Sequence, residues 1–132
     1  MSEPFDLHST HVHLGLGARV EPLPGFEWTP EYLAGYQERT EPDGNEGRLV
    51  VLMQQDASWG TWERHPAGDE LVVLLSGRAD LIQEIDGEHR VVELRPGIAV
   101  INPPGVWHTA DVHEPGEALF ITADRGTEVR PR

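Results

Sequence analysis

Turn-forming residues punctuate the chain from Arg48 onward so closely that no long helix fits there. Pro66-Ala67-Gly68-Asp69, Ser76-Gly77, Asp86-Gly87, Arg95-Pro96-Gly97, Pro103-Pro104-Gly105 and the run His113 to Glu117 each interrupt it. Between them lie short segments rich in aliphatic and β-branched residues: 49–53, 61–65, 71–75, 79–85, 90–94, 98–102, 107–112 and 118–122. Runs of that length and composition read as strands. Asp86-Gly87 is a hairpin signal, since both residues tolerate positive φ. About eight strands without a long crossover helix predict an all-β sandwich or closed barrel, which suits the 14 Gly and 11 Pro.

The N-terminal part reads differently. Residues 1–25 mix short apolar pieces, such as Val12 to Leu16, with Gly and Pro, and predict an extended arm. Thr29-Pro30-Glu31 then supplies a capping hydroxyl, a proline at the first helical position and an early acid. Trp28, Tyr32, Leu33 and Tyr36 give this short helix one apolar face, and Glu41-Pro42-Asp43-Gly44 ends it. The 132 residues contain no internal repeat or linker, which predicts one structural domain. In it the arm and helix (1–47) pack on a barrel formed by 48–132.

Charge and absent residue types exclude several functions. The net charge of −13 opposes binding to nucleic acid or to an anionic membrane. There is no Cys, so disulfides, thiolate ligands and a Cys nucleophile are excluded; all ten basic residues are Arg, which removes Schiff-base and P-loop lysine chemistry. None of the few Ser lies in a G-x-S-x-G context. No apolar run approaches the ~20 residues of a membrane span, and no basic n-region precedes an apolar stretch. A cytoplasmic protein is the expectation.

The chemistry concentrates around two segments. In Glu63-Arg64-His65 strand alternation turns Glu63 and His65 to one face and Trp62 and Arg64 to the other. The turn at 66–69 is expected to reverse the chain and bring Glu70 beside that pair. His108 joins them if the strand after Pro103-Pro104-Gly105 lies alongside.

These residues resemble the two motifs of the cupin superfamily. The first motif is an H-x-H pair, an acid four or five residues on, and a Gly seven residues later; His65, Glu70 and Gly77 match it. The second is Gly, five residues, then P-x-G-x-x-H, matched by Gly97, Pro103, Gly105 and His108. The resemblance covers roughly residues 48–123 and implies a double-stranded antiparallel β-helix, the jelly-roll barrel. It departs from the pattern where Glu63 replaces the first His, Ala57 an expected Gly, and Val112 a frequent Asn.

The resemblance implies a divalent metal held by Glu63, His65, Glu70 and His108, with Glu63 and Glu70 available for proton transfer. Mixed nitrogen and oxygen donors suit Fe, Mn, Ni, Co or Zn. Met53, Gln55, Thr61, Val72, Leu74, Ala110 and Phe120 are expected to line a mostly apolar pocket for a small-molecule ligand. The implied function is a metal-dependent dioxygenase, isomerase or lyase; the alternative is a binding or sensing barrel without turnover. Trp62 and Trp107 read as packing residues, Arg64 and Arg78 as surface cations. His8, His11 and His13 read as part of a solvated or exchanged arm rather than a second metal site. Tyr32 and Tyr36 are not expected to act as acids. A homodimer is expected, with the arm able to cover a neighbour's sheet edge.

Overall fold

The computed structural model describes residues 3–132. In chain order the strands are β1 (His11–Gly15), β2 (Arg19–Leu23), β3 (Arg48–Gln55), β4 (Thr61–Arg64), β5 (Glu70–Leu74), β6 (Arg78–Ile85), β7 (Glu88–Leu94), β8 (Ala99–Asn102), β9 (His108–Glu114), β10 (Gly116–Thr122) and β11 (Glu128–Pro131). One α-helix, α1 (Pro30–Arg39), and a 3-10 turn over Glu41–Glu46 separate β2 from β3. Two antiparallel sheets result, ordered β2-β1-β3-β10-β5-β8 and β11-β4-β9-β6-β7. This is the all-β jelly roll that the turn spacing predicts. Leu49, Val51, Val72, Leu74, Leu81 and Phe120 are among the buried residues of its core.

Backbone chemistry explains the turns. Ile85 and Glu88 pair across Asp86 (φ 53°) and Gly87 (φ 76°), the two positive φ values that a tight hairpin of this hand requires. Gly116 and Gly77 sit where two segments cross backbone to backbone. A Cβ on Gly116 would lie 2.0 Å from the Ser76 carbonyl oxygen, and one on Gly77 would lie 2.5 Å from that of Glu114. Gly77, the closing residue of the first motif, is thus a requirement of close approach.

The N-terminal segment departs from the expected arm. β1 and β2 form a hairpin that continues the first sheet, with His13 opposite Leu49 and Val12 opposite Val50 of the same chain. The edge of β3 is therefore covered from within the chain. Neither β2 nor β11 has an alternating apolar pattern. Both are edge strands containing a proline, and their pairing comes from the neighbouring strand rather than from their own composition.

His13 is also not solvated. It is 2% exposed, and its ring joins the arm to the helix and to the turn that follows. Nε2 lies 2.7 Å from Asp43 Oδ2, and Nδ1 lies 2.5 Å from the Tyr36 hydroxyl. An ionised carboxylate only accepts, so Nε2 carries the hydrogen and Tyr36 donates to Nδ1. Arg19 donates to the same Asp43 oxygen at 2.6 Å, and the Leu16 N–H donates to the other at 3.1 Å. His11 packs against Phe26 (4.9 Å between ring centres), and exposed His8 meets Asp6 and Glu117. Thr29 caps α1 by accepting from the Tyr32 N–H at 3.2 Å.

Hydrogen bonds from His13, the Leu16 backbone and Arg19 hold Asp43 down to about 2. A depressed carboxylate contributes stability that is complete above its ordinary value near 4 and is lost as pH falls through the folded value. Acid titration should therefore show stability falling between about pH 4 and pH 2, a slope that Asp43→Asn flattens. Tyr36→Phe, which leaves His13 Nδ1 buried without a donor, should lower stability by about 1–3 kcal/mol in a urea melt.

Candidate metal centre

Strand register assembles one polar layer inside the sandwich. In the first sheet Glu70 is paired with Asn102 on one side and Thr122 on the other; Thr122 is paired with Leu49, and Leu49 with His13. In the second sheet a row runs Val129, Glu63, His108, Gln83 and Arg90. Directly paired residues share a face of their sheet. The two rows meet where Glu70 Oε2 lies 3.1 Å from His65 Nε2 and Oε1 lies 3.2 Å from His108 Nε2.

The route to this meeting differs from a simple reversal. β4 and β5 belong to different sheets, so the turn at 66–69 carries the chain across the interior and Glu70 faces Glu63 and His65 from the opposite side. His65 lies just beyond the end of β4, with Nε2 4.0 Å from Glu63 Oε2. β9 pairs with β4, placing His108 opposite Glu63. Gly105, with φ 74°, donates its N–H to the His65 carbonyl at 3.1 Å, tying the loop before His108 to the end of β4.

Both imidazoles are held in one tautomer. Thr127 donates its hydroxyl hydrogen to the Asp124 carbonyl at 2.8 Å, so at 2.8 Å from His65 Nδ1 it can only accept. His108 Nδ1 lies 3.2 Å from the Val106 carbonyl, again an acceptor. Each Nδ1 therefore carries a hydrogen, and each ring in its neutral form turns an Nε2 lone pair inward. Both Nε2 atoms are buried without a partner in hydrogen-bond geometry, despite the nearby Glu70 oxygens.

The two carboxylates are set apart. Burial pushes Glu70 up, but in the metal-free protein the His108 and His65 rings, whose Nε2 atoms lie 3.2 and 3.1 Å away, outweigh it once they take up a proton and hold Glu70 well below the usual carboxylate range. Asn102 Nδ2 donates to Oε1 at 2.9 Å and Thr122 Oγ1 to Oε2 at 2.7 Å, which fixes the group as an acceptor. Burial raises Glu63, and the Glu70 charge adds to it against the opposing pull of His65. Burial lowers His65, yet the contact with Glu70 and the charges of both acids leave it raised. A carboxylate that stays ionised beside one that keeps its proton longer is a division of labour suited to acid–base chemistry.

The residues fit a divalent metal. The ligand atoms of Glu63, His65 and His108 lie within 4.8 Å of one another. The spacings from Glu70 to the two Nε2 atoms match the ~3 Å expected between neighbouring donors that share an ion at about 2.1 Å. Two buried lone pairs without hydrogen-bond partners, facing two acids, are the donor chemistry such an ion needs.

The expected pocket residues separate into two levels. Phe120 pairs with Val72 one step inward from Thr122 and Glu70, and Ala110 follows His108 on β9. Leu74 and Met53 are level with Ala118, about 13 Å along the strand from Glu70 at the ordinary rise. Met53 is 40% exposed there. Gln55 accepts from Trp59 Nε1 at 2.7 Å, and the Trp59 ring lies 6.1 Å from His108 and 6.2 Å from Phe120. The Thr61 carbonyl accepts from Thr109. Trp107 stacks with Arg64 and Arg130, Trp62 lies against Arg130 and His89, and Arg64 pairs with Glu128. Arg78 lines a surface cleft with Asp80, Glu93, Arg95 and His113. Tyr36 serves His13, not this centre. Sequence reasoning missed Asn102, Thr122, Thr127 and Trp59. Asn102 and Thr122 had a signal, a polar residue ending an apolar strand; Thr127 had none.

Two antiparallel sheets enclosing a layer of paired histidines and carboxylates define a jelly-roll protein with a titratable centre between its sheets. Residues 49–124, more than half of the chain, match the cupin domain, and the protein belongs to the cupin family. Among solved structures it is similar to an uncharacterized conserved protein with a double-stranded β-helix domain from Klebsiella pneumoniae: 22% identity, 64% of this chain and 76% of that one, TM-score 0.53. A conserved Streptococcus pyogenes protein of unknown function is 19% identical over 58% and 64% of the chains, TM-score 0.50. Hydroquinone 1,2-dioxygenase in complex with Cd2+ and 4-hydroxybenzonitrile is 17% identical over 57% of this chain and 56% of that one, TM-score 0.51. At these identities the likeness is one of fold. No curated protein matches the chain.

Thr127→Val removes the acceptor that fixes His65 and should weaken divalent-metal binding about tenfold in a chelator competition, while Thr127→Ser keeps it.

Proposed function

We propose that the protein is a metal-dependent enzyme acting on a small organic molecule, with a divalent transition metal held by Glu63, His65, Glu70 and His108. The observation that carries this reading is the pair of buried Nε2 atoms of His65 and His108, free of hydrogen-bond partners and faced by two acids. Two carboxylates balance the charge of a divalent ion, and Mn, Fe, Co, Ni or Zn all suit the donors. Such an ion supplies Lewis acidity and, where redox-active, electron transfer.

The chain's own residues have separate tasks. Glu70, held by Asn102 and Thr122, stays ionised and faces the two imidazoles, which Thr127 and the Val106 carbonyl orient. The Glu63 side chain is 35% exposed against 4% for Glu70, which makes it the carboxylate that a substrate meets first from solvent and the candidate for exchanging protons with it. Phe120, Val72, Ala110 and Trp59 make the surroundings of the centre apolar and aromatic, which favours a small, partly apolar substrate over a polyphosphate. Dioxygenase, isomerase and lyase reactions all fall within this chemistry; the dioxygenase of similar fold favours the first. A binding or sensing role without turnover is favoured by one observation: His65 and His108 are 5% and 0% exposed, leaving Glu63 as the approach from solvent.

Purified protein should retain a stoichiometric divalent metal, and adding that metal to stripped protein should raise its melting temperature with concentration. Glu63→His should tighten binding. Protein that retains no metal, and whose melting is unmoved by Mn, Fe, Co, Ni or Zn, would refute the reading. With iron loaded, oxygen consumption across a panel of small aromatic substrates separates an oxygenase from a non-redox enzyme.

We further infer that two copies pair through the outer face of the first sheet. There Val50, Ile121, Leu71 and Ile101 form one row across four strands, beside Leu119 and Val73, and Ile101 is 57% exposed. An apolar face presented identically by both copies is self-complementary about a twofold axis. Light scattering should report twice the chain mass, and Ile101→Lys should shift it to the monomer.

A further inference from the structure

Arg90 stands at the far end of the second polar row, exposed on β7 and without a carboxylate in ion-pair reach among the described residues. It nevertheless reaches inward. Its Nη1 donates to Gln83 Oε1 at 3.2 Å, and Gln83 is fully buried. Gln83 Nε2 donates to the Ile101 carbonyl at 2.9 Å and to Asn102 Oδ1 at 2.8 Å. Asn102, 1% exposed, then donates through Nδ2 to Glu70 Oε1 at 2.9 Å. A continuous chain of side-chain hydrogen bonds thus runs from the surface of the second sheet, across the interior, to the carboxylate between His65 and His108.

The polarity of this chain is not free. An arginine only donates and a carbonyl oxygen only accepts, so Gln83 must turn its oxygen to Arg90 and its amide group to Ile101 and Asn102. Asn102 must then accept from Gln83 and donate to Glu70. Any reversed amide would place oxygen against oxygen or N–H against N–H in a dry interior, where unmade hydrogen bonds are costly. The cation at the outer end also polarises each bond in the direction that favours an anion at the inner end.

We propose that Arg90 and Gln83 are positioning residues of the metal centre: through Asn102 they hold Glu70 as an acceptor-only carboxylate aimed at His65 and His108. The inference rests on the proposed metal site for its functional consequence, though not for the chain itself. Neither residue touches the ligand atoms, and neither belongs to the motif positions that carry the family resemblance.

The test uses the full chain and two readouts, divalent-metal affinity by chelator competition and the side-chain amide NMR signals of Asn102 in metal-free protein. Arg90→Met is a surface change that should leave the fold intact. It should weaken metal binding severalfold and shift the Asn102 amide signals, and Arg90→Lys, which also only donates, should restore both. Gln83→Glu puts an acceptor where the chain needs a donor, turns Asn102 around, and should lower affinity about tenfold or more. Unchanged Asn102 signals and unchanged affinity in Arg90→Met would overturn the proposal. If wild-type protein binds no divalent metal, the metal reading fails, and the Asn102 signals alone still decide whether the chain orients Glu70.

Discussion

The interior of this barrel is organised around a buried carboxylate. Glu70 is 3% exposed, at the start of a strand whose inward neighbours, Val72 and Leu74, belong to the apolar core. An isolated charge there would be driven to neutralise. It is retained because Asn102 and Thr122 donate to its two oxygens and the two imidazoles beside it supply balancing charge when they are protonated. Buried ion pairs of this kind contribute little net stability compared with an apolar core, but breaking one is costly. The layer is therefore better understood as a preorganised site than as a source of stability.

Keeping the layer in register places demands on the surrounding backbone. The cross-sheet turn after His65, the Gly105 N–H on the His65 carbonyl and the glycine crossings at 77 and 116 all lie at chain reversals. At Gly77 and Gly116 the backbones approach more closely than a residue with a side chain would allow, and at Gly105 the positive φ is what favours glycine. The N-terminal hairpin extends the same layer: His13 is level with Leu49 and Thr122, and its contacts with Tyr36 and Asp43 fasten helix and arm to the sheet. Both ring nitrogens of His13 have partners, in Tyr36 and Asp43, whereas the Nε2 atoms of His65 and His108 have none. That contrast separates a structural cluster from a ligand-type centre built from similar residues.

Much of the barrel and part of the centre were legible beforehand. The hairpin at Asp86-Gly87 followed from φ preferences, and alternation placed Glu63 on the inner face. The helix start at Thr29-Pro30 followed from capping chemistry. Less legible were β2 and β11, which are edge strands with polar, proline-containing sequences, and His13, which read as solvated because its partners lie far along the chain. Thr127 could not be recognised, because its importance lies in one hydroxyl that accepts from His65 while donating to Asp124.

The sequence by itself determined the strand-and-turn alphabet and the jelly-roll class, because alternation, glycine and proline act locally, and it marked Glu63, His65, Glu70 and His108 as candidate donors. Only the tertiary structure decided that β4 and β5 lie in opposite sheets, so that Glu70 meets Glu63 and His65 across the interior instead of beside them. It also decided which carboxylate remains ionised. Burial, hydrogen bonds and neighbouring charge are set by groups distant in the chain, and they separate Glu63 from Glu70 although the two side chains are chemically identical.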